Sequence, residues 1–261
     1  MQGTALISSE INVDKISFSP DLKKTDKGSY MAYCSYDGSP FAWQIPEMEN
    51  LFGVSSFKNK DGPDSLSITL SMNDNDGKRK SVIDFRNVCD ALSDRLKDCA
   101  AQNSASWFKK KAGREYWDAF FTPPYKVSMH KDDHGEETND VDERYPPRFK
   151  VNLQRNGPNG GFIVENNQGK KVEIQDEDFK NARVTAILKC SGVWVLNGKY
   201  GFMWRVMNLR VIPRNEGQFA FVDFDGTVQS DTELNEEYEI KPSGAKGNGS
   251  GLFMSDSDEE A

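Results

Sequence analysis

The chain has 261 residues, a formal charge of -8, 36% apolar and 11% aromatic residues, and a mean hydropathy of -0.70. That length buries a core without disulfides or metal, and so high an aromatic content excludes a disordered chain. No apolar run approaches the ~20 residues that span a bilayer, so no membrane partner is expected. The N-terminal residues lack a basic segment followed by an apolar one, and Cys34, Cys89, Cys99 and Cys190 form no C-x-x-C. An intracellular protein with reduced thiols and no disulfide is the expectation. His130 and His134 read as exposed loop residues rather than metal ligands, and no cofactor is implied.

In chain order, strands are expected at Ile16–Phe18, Tyr30–Tyr36 and the alternating Leu66–Met72, separated by Gly, Pro and Asp turns. Between residues 84 and 101, Phe85, Val88, Cys89, Leu92, Leu96, Cys99 and Ala100 recur at three and four, the spacing of a helical stripe. A shorter helix is expected around Trp107-Phe108 and Trp117, stopped by Pro123-Pro124, and then an acidic loop over 130–143. From Arg148 the pattern predicts five short antiparallel strands: Phe149–Leu153, Phe162–Val164, Lys171–Ile174, Val184–Cys190 and a hairpin through Asn197-Gly198. A last strand is expected at Phe219–Phe224, and the Gly/Ser-rich 243–251 reads as a flexible linker leading to acidic residues. The predicted fold class is mainly β with one or two helices: an OB-fold-like antiparallel barrel with N-terminal elaboration over 1–229, then an acidic tail over 230–261.

The negative charge is not evenly spread. Residues 230–261 carry -7, leaving -1 on the body, and within the body 144–214 carries +8. Basic and aromatic residues interleave there and in 78–126, the pairing that single-strand binding needs, because cations neutralise phosphates while ring faces stack on bases. The candidate nucleic-acid-binding residues are Trp107, Lys109, Lys110, Lys111 and Arg114; Arg148, Lys150 and Arg155; and Trp194, Lys199 and Arg205 of the hairpin. With a two-residue turn, Val193, Val195, Tyr200, Phe202 and Trp204 share one face, read as core, and Trp194, Leu196, Met203 and Arg205 the other. The second face reads equally as a base-stacking platform or as a surface buried between sheet and helix. A three-residue turn would instead put Trp194 with Phe202 and Trp204.

Asp223-Phe224-Asp225-Gly226-Thr227 matches the D-x-D-G-T nucleophile motif of haloacid-dehalogenase-type phosphatases. That motif closes the first strand of a large α/β domain, whereas here little chain follows and no βαβ pattern carries it. Asp223 and Asp225 are better read as turn residues. With no P-loop, G-x-S-x-G or H-E-x-x-H, no catalytic residues are assigned and an enzyme is not expected.

After the helix come Ser106-Trp107-Phe108 with its basic run, Tyr145-Pro146-Pro147 with a basic strand, and the hairpin Val193-Trp194-Val195 to Gly201-Phe202-Met203-Trp204-Arg205. In that order they resemble the single-stranded-DNA-binding proteins of large nucleocytoplasmic DNA viruses, themselves similar to the OB-fold binding protein of short-tailed phages, over roughly residues 104–212 and the tail. The resemblance implies a barrel that coats single-stranded DNA in replication, recombination and repair, in a host nucleus or at a cytoplasmic viral replication site. It also implies a tail, here Phe253, Asp256, Asp258, Glu259 and Glu260, that competes with DNA and recruits replication proteins such as a DNA polymerase or helicase. In the phage protein an aromatic residue ends the tail, whereas here Phe253 precedes the acids. RNA as a ligand and a homodimer stay open. The alternative function is a structural or scaffolding protein, such as a minor virion component, without specific nucleic-acid binding.

Overall fold

The computed structural model describes residues 5–25, 29–58, 65–153, 161–173 and 179–214. In chain order they form β1 (Leu6–Ile7), two short 3-10 turns, β2 (Ile16–Phe18), β3 (Lys23–Lys24), β4 (Tyr30–Ala32), β5 (Cys34–Tyr36), β6 (Ala42–Gln44), β7 (Met48–Phe57) and β8 (Ser65–Ser71). Then follow α1 (Lys80–Gln102), α2 (Ser104–Phe108), α3 (Arg114–Asp118), β9 (Phe121–Thr122), β10 (Tyr125–Lys126), β11 (Met129–Lys131), β12 (Glu137–Val141), β13 (Arg148–Leu153), β14 (Ile163–Glu165), β15 (Ala182–Leu196) and β16 (Lys199–Ile212). The fold is mainly β, as expected.

β15 organises the sheet because its alternation is the longest. Ala182, Val184, Ala186, Leu188 and Cys190 are all buried, one residue in two. Along one edge β15 pairs in turn with β7, β6 and β4, and along the other with β16. From β7 the sheet continues through β8 and β13 to β10. Two register shifts, one leaving Ser191 and one leaving Met207 without a partner, allow the long hairpin to bend.

Several expectations are corrected. The segment Tyr30–Tyr36 is two strands that divide at Tyr33, with β4 in the main sheet and β5 paired to β2 in a separate ribbon. The acidic stretch 130–143 is no loop: β11 and β12 form a hairpin. Instead of five short strands after Arg148, β15 and β16 run 15 and 14 residues. The sheet is not purely antiparallel either, since β1–β6, β9–β16 and β14–β16 are parallel. Among the described residues the hydrogen-bonded ladder does not close into a ring, although β13 and β16 approach within 8 Å. The strand expected at Phe219–Phe224, the D-x-D-G-T residues and Ile174 lie outside the described residues.

α1 covers the sheet with the stripe its spacing predicts: Val82, Phe85, Cys89 and Leu92 pack on Trp43, Phe149 and Leu188, and Leu96 and Ala100 on Val193, Val195 and Tyr200. Ring centroids of Trp43 and Phe85 are 4.7 Å apart and those of Phe85 and Phe149 5.2 Å. α2 and α3, two helices where one was expected, pack together through Phe108 stacked on Trp117 at 3.9 Å, in the cluster that holds Leu96, Val193 and Tyr200. No helix of the described residues is long and apolar enough to cross a membrane.

Candidate nucleic-acid interface

The hairpin turn sets the site. Asn197 and Gly198 both take positive φ, 50° and 79°, so the turn has two residues and Leu196 pairs with Lys199. Val193, Val195 and Tyr200 consequently point into the core while Trp194 lies opposite Gly201 on the outer side. A Cβ at Gly201 would stand 3.0 Å from Cζ2 of the Trp194 indole and 3.0 Å from the Thr122 carbonyl oxygen. The indole therefore rests on bare backbone, a position only glycine leaves open. Replacing Gly201 by Ala is expected to cost about 1–3 kcal/mol of stability through overpacking. The cost should shrink in a Trp194→Ala background, a coupling that thermal unfolding of the four-protein cycle measures.

Between β13 and the β15–β16 hairpin lies a groove of about 950 Å³. Trp194, Phe202, Met203 and Trp204 line it from the hairpin, Arg148, Lys150 and Asn152 from β13, Tyr125 and Lys126 from β10, and Thr25 and Ser29 from beside β3 and β4. In β13 the alternation is strict: Phe149, Val151 and Leu153 are buried, which turns Arg148, Lys150 and Asn152 outward. The rings of Phe202 and Trp204 stack at 5.6 Å with 27° between planes. Tyr125 is anchored, its hydroxyl donating to Asp90 Oδ1 at 2.6 Å; burial and that carboxylate push its phenol well above the ordinary range, so it stays protonated. Among the described residues the groove's lining holds three cations, Lys126, Arg148 and Lys150, four aromatic rings and no carboxylate. None of the three cations forms an ion pair with a described residue; Arg148 Nη2 donates to Ser128 Oγ at 3.3 Å. Such a surface offers phosphates unshared positive charge and offers flat bases π-faces.

A neighbouring groove of about 1180 Å³ shares Pro123, Tyr125, Lys126 and Arg148 with the first. Its lining is mixed, with Asp90, Asp118, Glu137 and Asp142 among Lys97, Lys131 and Arg144, which makes it the poorer surface for a polyanion. Arg144 grips Asp142 through Nε at 2.8 Å and Nη2 at 2.6 Å, and the guanidinium holds that carboxyl down to about 2. The pair pins the base of the β11–β12 hairpin, where His130 and His134 are both exposed.

Of the residues singled out in the sequence, the fold brings Trp194, Arg148 and Lys150 together. It does not bring the others to them. Trp107 is a core residue, 3% exposed, its Nε1–H donating to the Pro20 carbonyl at 3.1 Å, so its face is unavailable for stacking. Arg114 is held by Asp94 and Asp98, both at 2.6 Å, and by Asp118 at 3.8 Å, which uses its charge within the α1–α3 contact. Lys109 takes φ 58° at the end of α2, Lys110 Nζ sits 3.8 Å from the centre of the Tyr116 ring, and Lys111 is exposed beside them, all outside the groove. Lys199 is exposed at the hairpin turn, and Arg205, half-buried opposite Lys189, has its own partner and does not line the groove. Arg155 and the tail residues Phe253, Asp256, Asp258, Glu259 and Glu260 lie outside the described residues.

Sequence reasoning reads Tyr125-Lys126 as one of several basic-aromatic pairs yet leaves both out of the candidate set, and with a two-residue turn it assigns Phe202 and Trp204 to the core face. The basic-aromatic pairing of Tyr125 with Lys126 was the available signal. For the two rings there was none, because their exposure depends on the gap between β13 and β16.

No protein-family model matches the chain, and no curated protein matches it by sequence. Among solved structures, it is similar to the single-stranded DNA-binding protein from bacteriophage Enc34 in complex with ssDNA, at 12% identity and a TM-score of 0.39, over 75% of this chain and 96% of that one. It is also similar to gp2.5, a single-stranded DNA binding protein encoded by bacteriophage T7, at 10% identity and a TM-score of 0.37, over 76% and 97%.

Proposed function

We propose that this chain binds single-stranded DNA in the groove between β13 and the β15–β16 hairpin, without catalysis. The observation that carries the reading is the groove itself: three cations unpaired among the described residues, four aromatic rings and no carboxylate, in a chain whose formal charge is -8. Phosphates meet Lys126, Arg148 and Lys150, and bases stack on Trp194 with Phe202 and Trp204 at the groove wall. Duplex DNA hides the base faces these rings use, so single strands are preferred. In this reading the barrel is of OB type and coats strands during replication, recombination or repair inside the cell.

The test is fluorescence anisotropy with labelled single-stranded and duplex oligonucleotides. Trp194→Ala is expected to cost about 1–3 kcal/mol of single-strand binding. A variant that melts like the parent and binds oligo-dT equally well overturns the role of Trp194, and equal weak binding to both DNA forms favours a scaffolding protein instead.

The tail enters the proposal through charge. Residues 230–261 carry -7, and an acidic segment tethered to the chain reaches an effective concentration in the mM range, enough to compete with DNA for a cationic groove. Deletion after Val228 is expected to tighten single-strand binding at low salt, with the gain fading towards physiological ionic strength, where the screening length is about 8 Å. Equal affinities for the full and shortened chains at low salt overturn the competition. When DNA displaces it, the tail is free to recruit a polymerase or helicase.

A further inference from the structure

Beyond Trp194 the sheet carries on to β4 and β3. Cross-strand pairing sets a row of residues on one side of the sheet: Lys23 pairs with Met31, Met31 with Trp194, and Trp194 with Gly201. Partners in register share a face, so Lys23, Met31 and Trp194 stand on the same side, with Lys23 two strands, about 10 Å, from Trp194. Tyr33 lies between β4 and β5, and a contact places its ring beside this row: Lys23 Nζ lies 4.9 Å from the ring centre.

We propose that Lys23 and Tyr33 form a second contact site for the same single strand, reached as it leaves the groove over Trp194 and Met31. This extension rests on the function proposed above. Three observations carry it. Tyr33 is 47% exposed, so much of its ring surface faces solvent. Lys23 and Lys24 are both exposed and neither forms an ion pair with a described residue. Thr25 and Ser29, joined by a 2.7 Å hydroxyl contact at the turn end of the β3–β4 ribbon, line the groove, so this ribbon borders it. Tyr33 offers a face to one base and Lys23 a charge to the adjoining phosphate, the combination that makes binding tolerant of sequence.

The experiment is a length series of oligo-dT titrated into the full chain and into the variants Trp194→Ala, Tyr33→Ala, Tyr33→Phe and Lys23→Gln. For Tyr33→Ala, affinity for the shortest oligonucleotides that bind the parent should be unchanged, while affinity for long ones falls about 5- to 150-fold, the range of a lost base–ring stack. Tyr33→Phe keeps the ring and should bind all lengths like the parent. Lys23→Gln should flatten the salt slope on long oligonucleotides by roughly 0.7. If Trp194→Ala weakens binding while Tyr33→Ala does not, or if Tyr33→Ala weakens every length equally, the second site is wrong and the groove stands. If Trp194→Ala changes nothing at any length, the groove reading itself fails.

Discussion

Neutralising the groove's three cations together, Lys126, Arg148 and Lys150 to Gln, is expected to lower single-strand affinity about 100-fold at 0.1 M salt and to flatten the plot of log K against log salt by about 2. The magnitude follows from counterion release, which contributes a slope of roughly 0.7 per phosphate contact on a single strand. Each side chain is free to deliver its full share because none is committed to a described carboxylate. Arg114, by contrast, faces three carboxylates, and Arg114→Gln should leave the slope unchanged while loosening the α1–α3 contact. Equal slopes for the triple variant and the parent would remove these residues from the site. Because the substituted side chains are exposed, thermal unfolding should be nearly unaffected, which separates a binding loss from a folding loss.

Gly192→Ala is expected to be the most damaging small substitution in the sheet, costing about 2–5 kcal/mol. Gly192 takes φ 146°, which L side chains rarely adopt, and it stands just past the bulge at Ser191. A Cβ there would lie 2.1 Å from the Ala32 carbonyl oxygen, inside any tolerable contact, and 3.2 Å from Met31 Cγ. The obstruction is backbone, so no rotamer change relieves it, and β4 must move away from β15. Since β4 also carries the row leading from Trp194 to Lys23, displacing it should weaken single-strand binding as well. Thermal unfolding checks the first effect, at about 2–4 °C per kcal/mol for a domain of this size; a shift under one degree would show that β4 yields without cost.

Local chemistry in the sequence determined a good deal of this protein. The three-and-four spacing from Phe85 to Ala100 specified α1 and the side it buries, because a helical period is written in consecutive residues. Asn197-Gly198 specified the hairpin, and with a two-residue turn it put Trp194 on the face away from Val193 and Val195, because turn type sets register and register sets facing; the turn length itself came from the structure. The alternation in 148–153 likewise specified that Arg148 and Lys150 point away from the core.

What only the tertiary structure decided was which outward residues meet. Lys126 joins Arg148 because β10 pairs with β13 across more than twenty residues of intervening chain, a non-local choice that no local pattern encodes. Phe202 and Trp204 carry the alternation of core residues and are packed as such against Phe18 and Trp43, yet they line the groove because β13 and β16 approach without pairing. Trp107 and Lys109-Lys110-Lys111 have the composition of a binding cluster, but α2 turns the indole under Pro20 and leaves the lysines on another surface. Composition names the residues able to bind a polyanion; their gathering depends on long-range strand pairing, whose free energy comes from burying the opposite faces.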